Sequence, residues 1–349
     1  MVTWLGHAGV LVQLPPLDAA KGSRPIRCLF DPIFSMRCSP SQRAGPIRAY
    51  PPPCHVQDLP PIDTVFISHN HFDHLDHDTI LAIWKSSKET VRFYVPLGNR
   101  TWFVDCGISE ERVTEMDWWD SATLCSRPGK ETFTTSSLQV WCTPAQHSSG
   151  RAGIDANSTL WSSWYLRRQS PKGTYRIFFA GDTGYQFHGS PHWPPSPPLG
   201  KNTQKPNTQV SDDTEYPPCP AFAEIRDRLG PPNLLLLPVA VGVGITAGIH
   251  MPPWDAVSVF RLMTELPYKD TTCEGATIAM HWGTFVTEGA EVLKTLGQLE
   301  WACQQQGVHF ARSLPVRDKE GDTHGSGGRL GKETPLFVAL NHGQSVEPR

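Results

Sequence analysis

The sequence predicts an α/β (α+β) fold of two sheets packed face to face with helices outside, and three observations carry that prediction. Short runs such as 63–68, with Thr64, Val65, Phe66 and Ile67 at its centre, and 234–239 are almost wholly apolar, as strands buried on both faces are. Strands come first along the chain and then alternate with segments of helical spacing. Polar motifs stand where the apolar runs stop. This order fits several α/β folds, so the motifs must choose among them.

The elements follow in order. Residues 10–14 and 27–30 read as strands joined by a turn containing Pro, Gly and Lys, and Asp31-Pro32 ends the second. Residues 35–61, rich in Pro, Ser and Arg, read as loop. The strand at 63–68 runs into His69-Asn70-His71-Phe72-Asp73-His74. Leu75, Ile80, Ile83 and Trp84 then fall at helical spacing, with Asp78 near the start. Strands are expected at 91–95, 113–116, 138–142, 159–166 and 175–180, the last ending in Gly181-Asp182-Thr183-Gly184. Residues 186–218, crowded with Pro, Ser, Asn, Thr and Gln, read as a disordered insertion in an otherwise single domain spanning 1–349. Phe222, Ile225 and Leu229 line a helix that Gly230 and Pro231 stop. A strand at 234–239, a helix at 255–265, a strand at 277–280 ending at His281, a long helix at 288–306 and a last edge strand at 337–340 complete the chain.

Composition narrows the class. A net charge of −3 gives no basic footprint for nucleic acid. Nine cysteines, an odd number without a Cys-x-x-Cys pair, point to a reducing compartment rather than a disulfide framework. No apolar window is long enough for a transmembrane helix, and no signal peptide is expected at Met1-Val2-Thr3-Trp4.

The informative stretch is His69-x-His71-x-Asp73-His74, four metal-ligand types within six residues at the end of a buried strand. Imidazole and carboxylate suit zinc. A backbone turning from strand into helix can aim His69 and His71 at one point and Asp73 and His74 at a second, the arrangement of a hydrolytic metal pair. A lone His-x-His is more often a solvated loop, and four ligands cannot fill two sites. More must come from isolated His or Asp residues at strand ends. His147, Asp182 and His281 stand in that setting. Each is bland alone; together they make a set of five His and two Asp. Zinc is the expected ion, although Mn or Fe would accept the same donors.

This set resembles the metallo-β-lactamase superfamily. The resemblance implies a four-layer αββα sandwich with His69, His71 and His147 on one metal, Asp73, His74 and His281 on the other, and Asp182 bridging them. It also implies a water made nucleophilic between the metals, with Asp73 or Asp182 orienting it. A closer likeness runs over nearly the whole chain: Trp4-Leu5-Gly6-His7-Ala8, Asp31-Pro32-Ile33-Phe34-Ser35, Arg37-Cys38-Ser39-Pro40, Asp117-Trp118-Trp119, Ser149-Gly150-Arg151 and His281-Trp282-Gly283-Thr284-Phe285. These segments are similar to the N-acylphosphatidylethanolamine-hydrolysing phospholipase D family.

That likeness implies a zinc phosphodiesterase releasing an N-acylethanolamine and phosphatidic acid. It further implies an intracellular, cytoplasmic protein peripherally associated with a membrane surface, with no nucleic-acid partner; a homodimer is allowed. His250 lies where the family has a phosphate-contacting His and is carried over as a substrate-binding residue, against the reading of a polar helix-entry residue. Trp161, Trp164, Phe187 and Trp193 are candidates for lipid contact, with core packing the stronger reading for Trp161 and Trp164. The chain departs from the family at Phe72, where the family has Tyr. It departs again in the glycine-rich stretch 239–249, and in the 186–218 insertion that splits Tyr185 from Cys219. The chain also opens directly at its first strand, where family members carry a longer N-terminal segment. The alternative enzyme is a metallo-lactonase or other small-molecule hydrolase of the same fold. A tRNA-processing nuclease shares the metal motif, but this chain has no basic surplus; a non-catalytic binding protein would have lost ligands that are all present here.

Overall fold

The structure, a computed structural model, describes residues 1–16, 24–124, 138–151, 153–170, 173–188, 216–240, 248–264, 276–286, 288–312 and 336–347. The first sheet is built from β1 (Val2–Gly6), β2 (Gly9–Leu14), β3 (Ile26–Phe30), β4 (Thr64–Phe66), β5 (Arg92–Pro96), β6 (Val113–Met116) and, from the far end of the chain, β15 (Ser345–Val346). Its order is β15-β1-β2-β3-β4-β5-β6, antiparallel as far as β3 and parallel from β3 to β6. The second sheet holds β7 (Ser121–Leu124), β8 (Leu138–Thr143), β9 (Ser163–Ser170), β10 (Gly173–Phe179), β11 (Leu234–Pro238), β12 (Ala276–Met280), β13 (His309–Ala311) and β14 (Leu336–Val338). Its order is β13-β14-β12-β11-β10-β9-β8-β7.

Side-chain alternation along the strands makes the layers. Val10, Val12, Cys28, Phe30, Phe66 and Tyr94 face the second sheet in one core. Leu11, Leu29, Val65, Phe93 and Val95 face the other way, onto Ile80 and Ile83 of α1 (His77–Ser87) and Phe103 of α2 (Arg100–Asp105). On the far side of the second sheet, α3 (Ala221–Leu229), α4 (Pro253–Thr264) and α5 (Gly289–Gln305) contribute Phe222, Phe260 and Leu299 to the main core. The result is the helix–sheet–sheet–helix sandwich. Every residue of β4, β11 and β12 is buried, which is why those runs carry no polar alternation.

Two expectations need correction. The strand expected at 159–166 is β9, Ser163–Ser170. Residues 160 and 162 instead reach the first sheet's loops, where Leu160 N bonds Leu97 O (2.8 Å) and Ser162 N bonds Ser68 O (2.8 Å). The polar end of β9 is a true strand because Arg167 and Arg168 pair with Arg176 and Tyr175 of β10. The expected last edge strand is β14, which lies inside the sheet between β12 and β13. The short elements β1, β7, β13, β15 and α2 carried too little periodicity to be read. Most of the 186–218 insertion lies outside the described residues. Its ends are tied: Cys219 N bonds Tyr185 O at 2.7 Å, and Gln186 Nε2 bonds Tyr216 O at 2.7 Å.

Candidate metal centre

β3, β4, β8, β10 and β12 end on one edge of the sandwich, and the chemistry-bearing residues follow those ends. The turn after β4 supplies His69, His71, Asp73 and His74. His147 follows β8, Asp182 follows β10 and His281 follows β12. The two sheets meet there through Trp164 Nε1, which donates to Ile67 O at 3.0 Å. Gly181 makes this approach feasible: its φ is +62°, and a Cβ would lie 2.5 Å from that of Ser68.

All seven residues converge. Donor atoms of His69, His71 and His147 lie within 4.8 Å of one another, as do those of His7, Asp73, His74 and His281, and those of His147, Asp182 and His250. Asp182 sits at the middle. Its Oδ2 is 3.1 Å from His74 Nε2, 3.3 Å from His250 Nε2 and 3.8 Å from His147 Nε2, while Oδ1 is 3.0 Å from His281 Nε2.

Hydrogen bonds set the tautomers. Ser68 Oγ donates to Asp31 Oδ2, so it accepts from His69 Nδ1 (2.8 Å). His74 Nδ1 donates to Asp31 Oδ2 at 2.7 Å, and His147 Nδ1 donates to Ile249 O at 2.9 Å. Each imidazole therefore spends Nδ1 on an outer acceptor and turns Nε2 inward, as second-layer acceptors dictate for metal-binding histidines. His69 Nε2, His74 Nε2, His281 Nε2 and Asp182 Oδ1 are buried and hydrogen-bond to nothing. Leaving such atoms bare is costly unless a cation takes them. His71 Nδ1 stands 3.3 Å from His147 Nε2, close to the roughly 3.3–3.4 Å edge of a tetrahedron with zinc–nitrogen bonds of 2.0–2.1 Å. The donor set fits a pair of cations.

Charge tells the same story. Burial lowers the pKa of His69 far below the histidine range and that of His147 to about 3. Burial would also lower His74 and His281, but Asp182 and Asp73 hold His74 well above its ordinary value, and Asp182 above all takes His281 to about 9. Against their own burial, the charged imidazoles keep Asp73 and Asp182 well below the carboxylate range. Without metal, two carboxylates are thus matched by two imidazoliums, and a cation would replace those protons.

Two groups at the site escaped sequence reasoning as chemistry. Asp31, fully buried, anchors both His74 and Ser68. His7, in the β1–β2 turn, places Nε2 2.8 Å from Asp73 Oδ2. Both belong to segments singled out above, and both follow strand ends, the signal that found the other residues. Asp31, His7 and His281 all have positive φ, at 35°, 52° and 61°, the strain that clusters at functional sites.

Of the aromatic candidates, Trp164 is core, with no exposure. Trp161 is half-buried and bonds Ala145 O (2.9 Å), Phe187 is exposed, and Trp193 lies outside the described residues. Phe72 replaces the family's Tyr and receives the Arg151 guanidinium 4.1 Å above its ring.

A family model described as the beta-lactamase superfamily domain matches residues 26–190, the span carrying six of the seven converging residues. Residues 26–190 are a beta-lactamase superfamily domain. It is 33% identical over 284 residues to an uncharacterized protein of Mycobacterium tuberculosis (strain ATCC 25618 / H37Rv), covering 81% of this chain and 59% of that one. It is 31% identical over 288 residues to N-acyl-phosphatidylethanolamine-hydrolyzing phospholipase D 1 of Caenorhabditis elegans, covering 81% of this chain and 64% of the relative. The chain therefore spans under two thirds of the length of these relatives. Among solved structures, CmlA, a diiron beta-hydroxylase from Streptomyces venezuelae, superposes with a TM-score of 0.51 at 14% identity, over 98% of this chain and 52% of that one. That likeness speaks for the fold alone. The superfamily fold implies a two-metal site, and the His and Asp clusters supply donors for it. No helix among the described residues is long and apolar enough to cross a membrane.

Proposed function

We propose that this chain is a zinc-dependent phosphodiesterase that hydrolyses N-acylphosphatidylethanolamine to an N-acylethanolamine and phosphatidic acid at a membrane surface. The observation that carries the hydrolase is the cluster of buried, bondless donor atoms at His69, His74, His281 and Asp182. The relative named for this lipid supplies the substrate class.

In this reading His69, His71 and His147 would hold one zinc and Asp73, His74 and His281 the other, with Asp182 available to both. The metal pair, when bound, lowers the pKa of a water to about 7 and neutralises charge developing on phosphate oxygens. The chain's own residues do the positioning. Asp73 and Asp182 stay ionised and accept the proton side of an attacking water, which orients its lone pair toward phosphorus. His250, with a side chain 19% exposed and Nε2 3.3 Å from Asp182 Oδ2, lies at the open side of the cluster and donates to a phosphate oxygen. His7, His69 and His147 stay neutral near pH 7 because burial lowers them, His7 and His147 to about 3.

The test is product analysis of zinc-loaded protein on N-acylphosphatidylethanolamine in detergent micelles. Release of N-acylethanolamine is expected. No release, with opening of a lactone ring instead, would transfer the same metal centre to ester chemistry and end the phospholipase reading.

A further inference from the structure

We propose that His7 is a positioning residue for the second metal position, holding the Asp73 carboxylate in its metal-binding orientation; this rests on the metal-centre reading above. A carboxylate only accepts, so His7 Nε2–H is the donor in the 2.8 Å bond to Asp73 Oδ2. That contact has hydrogen-bond geometry. His281 Nε2 and Asp182 Oδ1, 3.0 Å apart, form an ion pair whose alignment falls short of a hydrogen bond. His7 therefore spends its inward nitrogen on a ligand, as a second-layer group does, while its neighbours leave theirs bare.

Asp73 needs such a partner. Its side chain is 28% exposed, against 2% for Asp182, and a short carboxylate on a turn has two rotatable bonds to lose. His7 is itself fixed. Its φ of 52° is one a residue with a Cβ avoids, and three bonds hold it there. His7 N donates to Thr284 Oγ1 (2.6 Å), while its carbonyl accepts from Trp4 Nε1 (2.8 Å) and from His281 N (2.8 Å). Its ring lies 4.0 Å from that of His281 and edge-on to Phe285 at 5.1 Å. One strained turn thus holds the backbone of one proposed ligand, His281, and the side chain of another, Asp73. Thr284 Oγ1 also meets His342 Nε2 at 2.9 Å, so the support reaches the loop before β15.

The experiment titrates zinc into metal-free protein against a chromophoric chelator, comparing wild type with His7→Phe and His7→Gln. Two equivalents bound by wild type test the metal-centre reading separately. The second equivalent should weaken about 10–100-fold in His7→Phe, which keeps a ring but no donor, with the first within about threefold. His7→Gln, whose amide N–H can donate in place, should stay within about threefold for both. Nitrogen-15 spectra of zinc-loaded wild type should show His7 protonated at Nε2, a readout that needs no variant to fold. Unchanged binding in His7→Phe, equal losses in both variants, or a metal-bonded His7 Nε2 would each overturn the proposal.

Discussion

Replacing Asp31 by Asn probes the second layer of the site without touching a proposed ligand. Asp31 is fully buried and accepts three bonds: Ser68 N to Oδ1 (2.7 Å), and both Ser68 Oγ and His74 Nδ1 to Oδ2. An asparagine has one acceptor oxygen. If its NH2 takes the Oδ2 position, it meets the His74 Nδ1 proton, and His74 must move that proton to Nε2, the atom offered to the metal. If the amide flips, the NH2 instead meets the Ser68 backbone N–H. Either orientation sets donor against donor in a buried place, which costs about 1–3 kcal/mol of stability. Where the tautomer yields, metal affinity should fall about 10–100-fold, or about 1.4–2.7 kcal/mol. Chelator competition and denaturant unfolding of the metal-free protein read the two effects separately. An Asp31→Asn protein with wild-type affinity and wild-type unfolding would refute the tautomer argument.

Asp182→Asn should strip metal content and turnover together, because a neutral amide cannot span two cations; elemental analysis showing two metals and full turnover would remove its bridging role. Metal binding should release protons, since His281 has a pKa of about 9 without metal, raised chiefly by Asp182 against the effect of burial. Its proton competes with the cation below that value, so affinity should rise with pH from 7 toward 9 and then flatten, as titration calorimetry in buffers of different ionisation enthalpy would show. Arg151→Met should cost about 2–4 kcal/mol in denaturant unfolding. It removes the bonds from Nη1 to Asn70 O (2.9 Å) and Leu75 O (2.8 Å) that clasp both ends of the ligand turn, and the stack on Phe72.

The sequence made the inner strands legible because burial on both faces leaves an unbroken apolar run, as in Leu234–Pro238. It made the ligands legible because a His or Asp directly after such a run is out of place unless something holds it. His7 and Asp31 obey the same positional rule, yet neither stands in a run of His and Asp like 69–74, and their bonds to Asp73 and His74 span 66 and 43 residues. Such long-range pairs leave no local pattern. The edge elements failed for the opposite reason. A two-residue strand such as Ser345–Val346 is fixed by its partners, Thr3 and Val2, and has no period of its own.

The described ends of two departures from the family, the insertion and the glycine-rich stretch before His250, meet beside the site. The proposed ligands hang from strand ends of both sheets. His250 instead hangs from a loop held by Gln146 Nε2 to Gly248 O (2.7 Å), and Gly184 N donates to Gln146 O at 2.8 Å. A Cβ on Gly184 would fall 2.1 Å from Gly248 O, so the two strips of backbone touch. Just beyond, His188 Nε2 meets the buried Asp255 Oδ1 at 2.9 Å, which ties the start of the insertion to the helix that follows His250. The described start of the insertion and the segment carrying His250 are therefore tied to each other, beside Asp182 and His147. In the proposed reading, changes there would alter the wall that carries His250 while the seven donors, which follow the strand ends, keep their places.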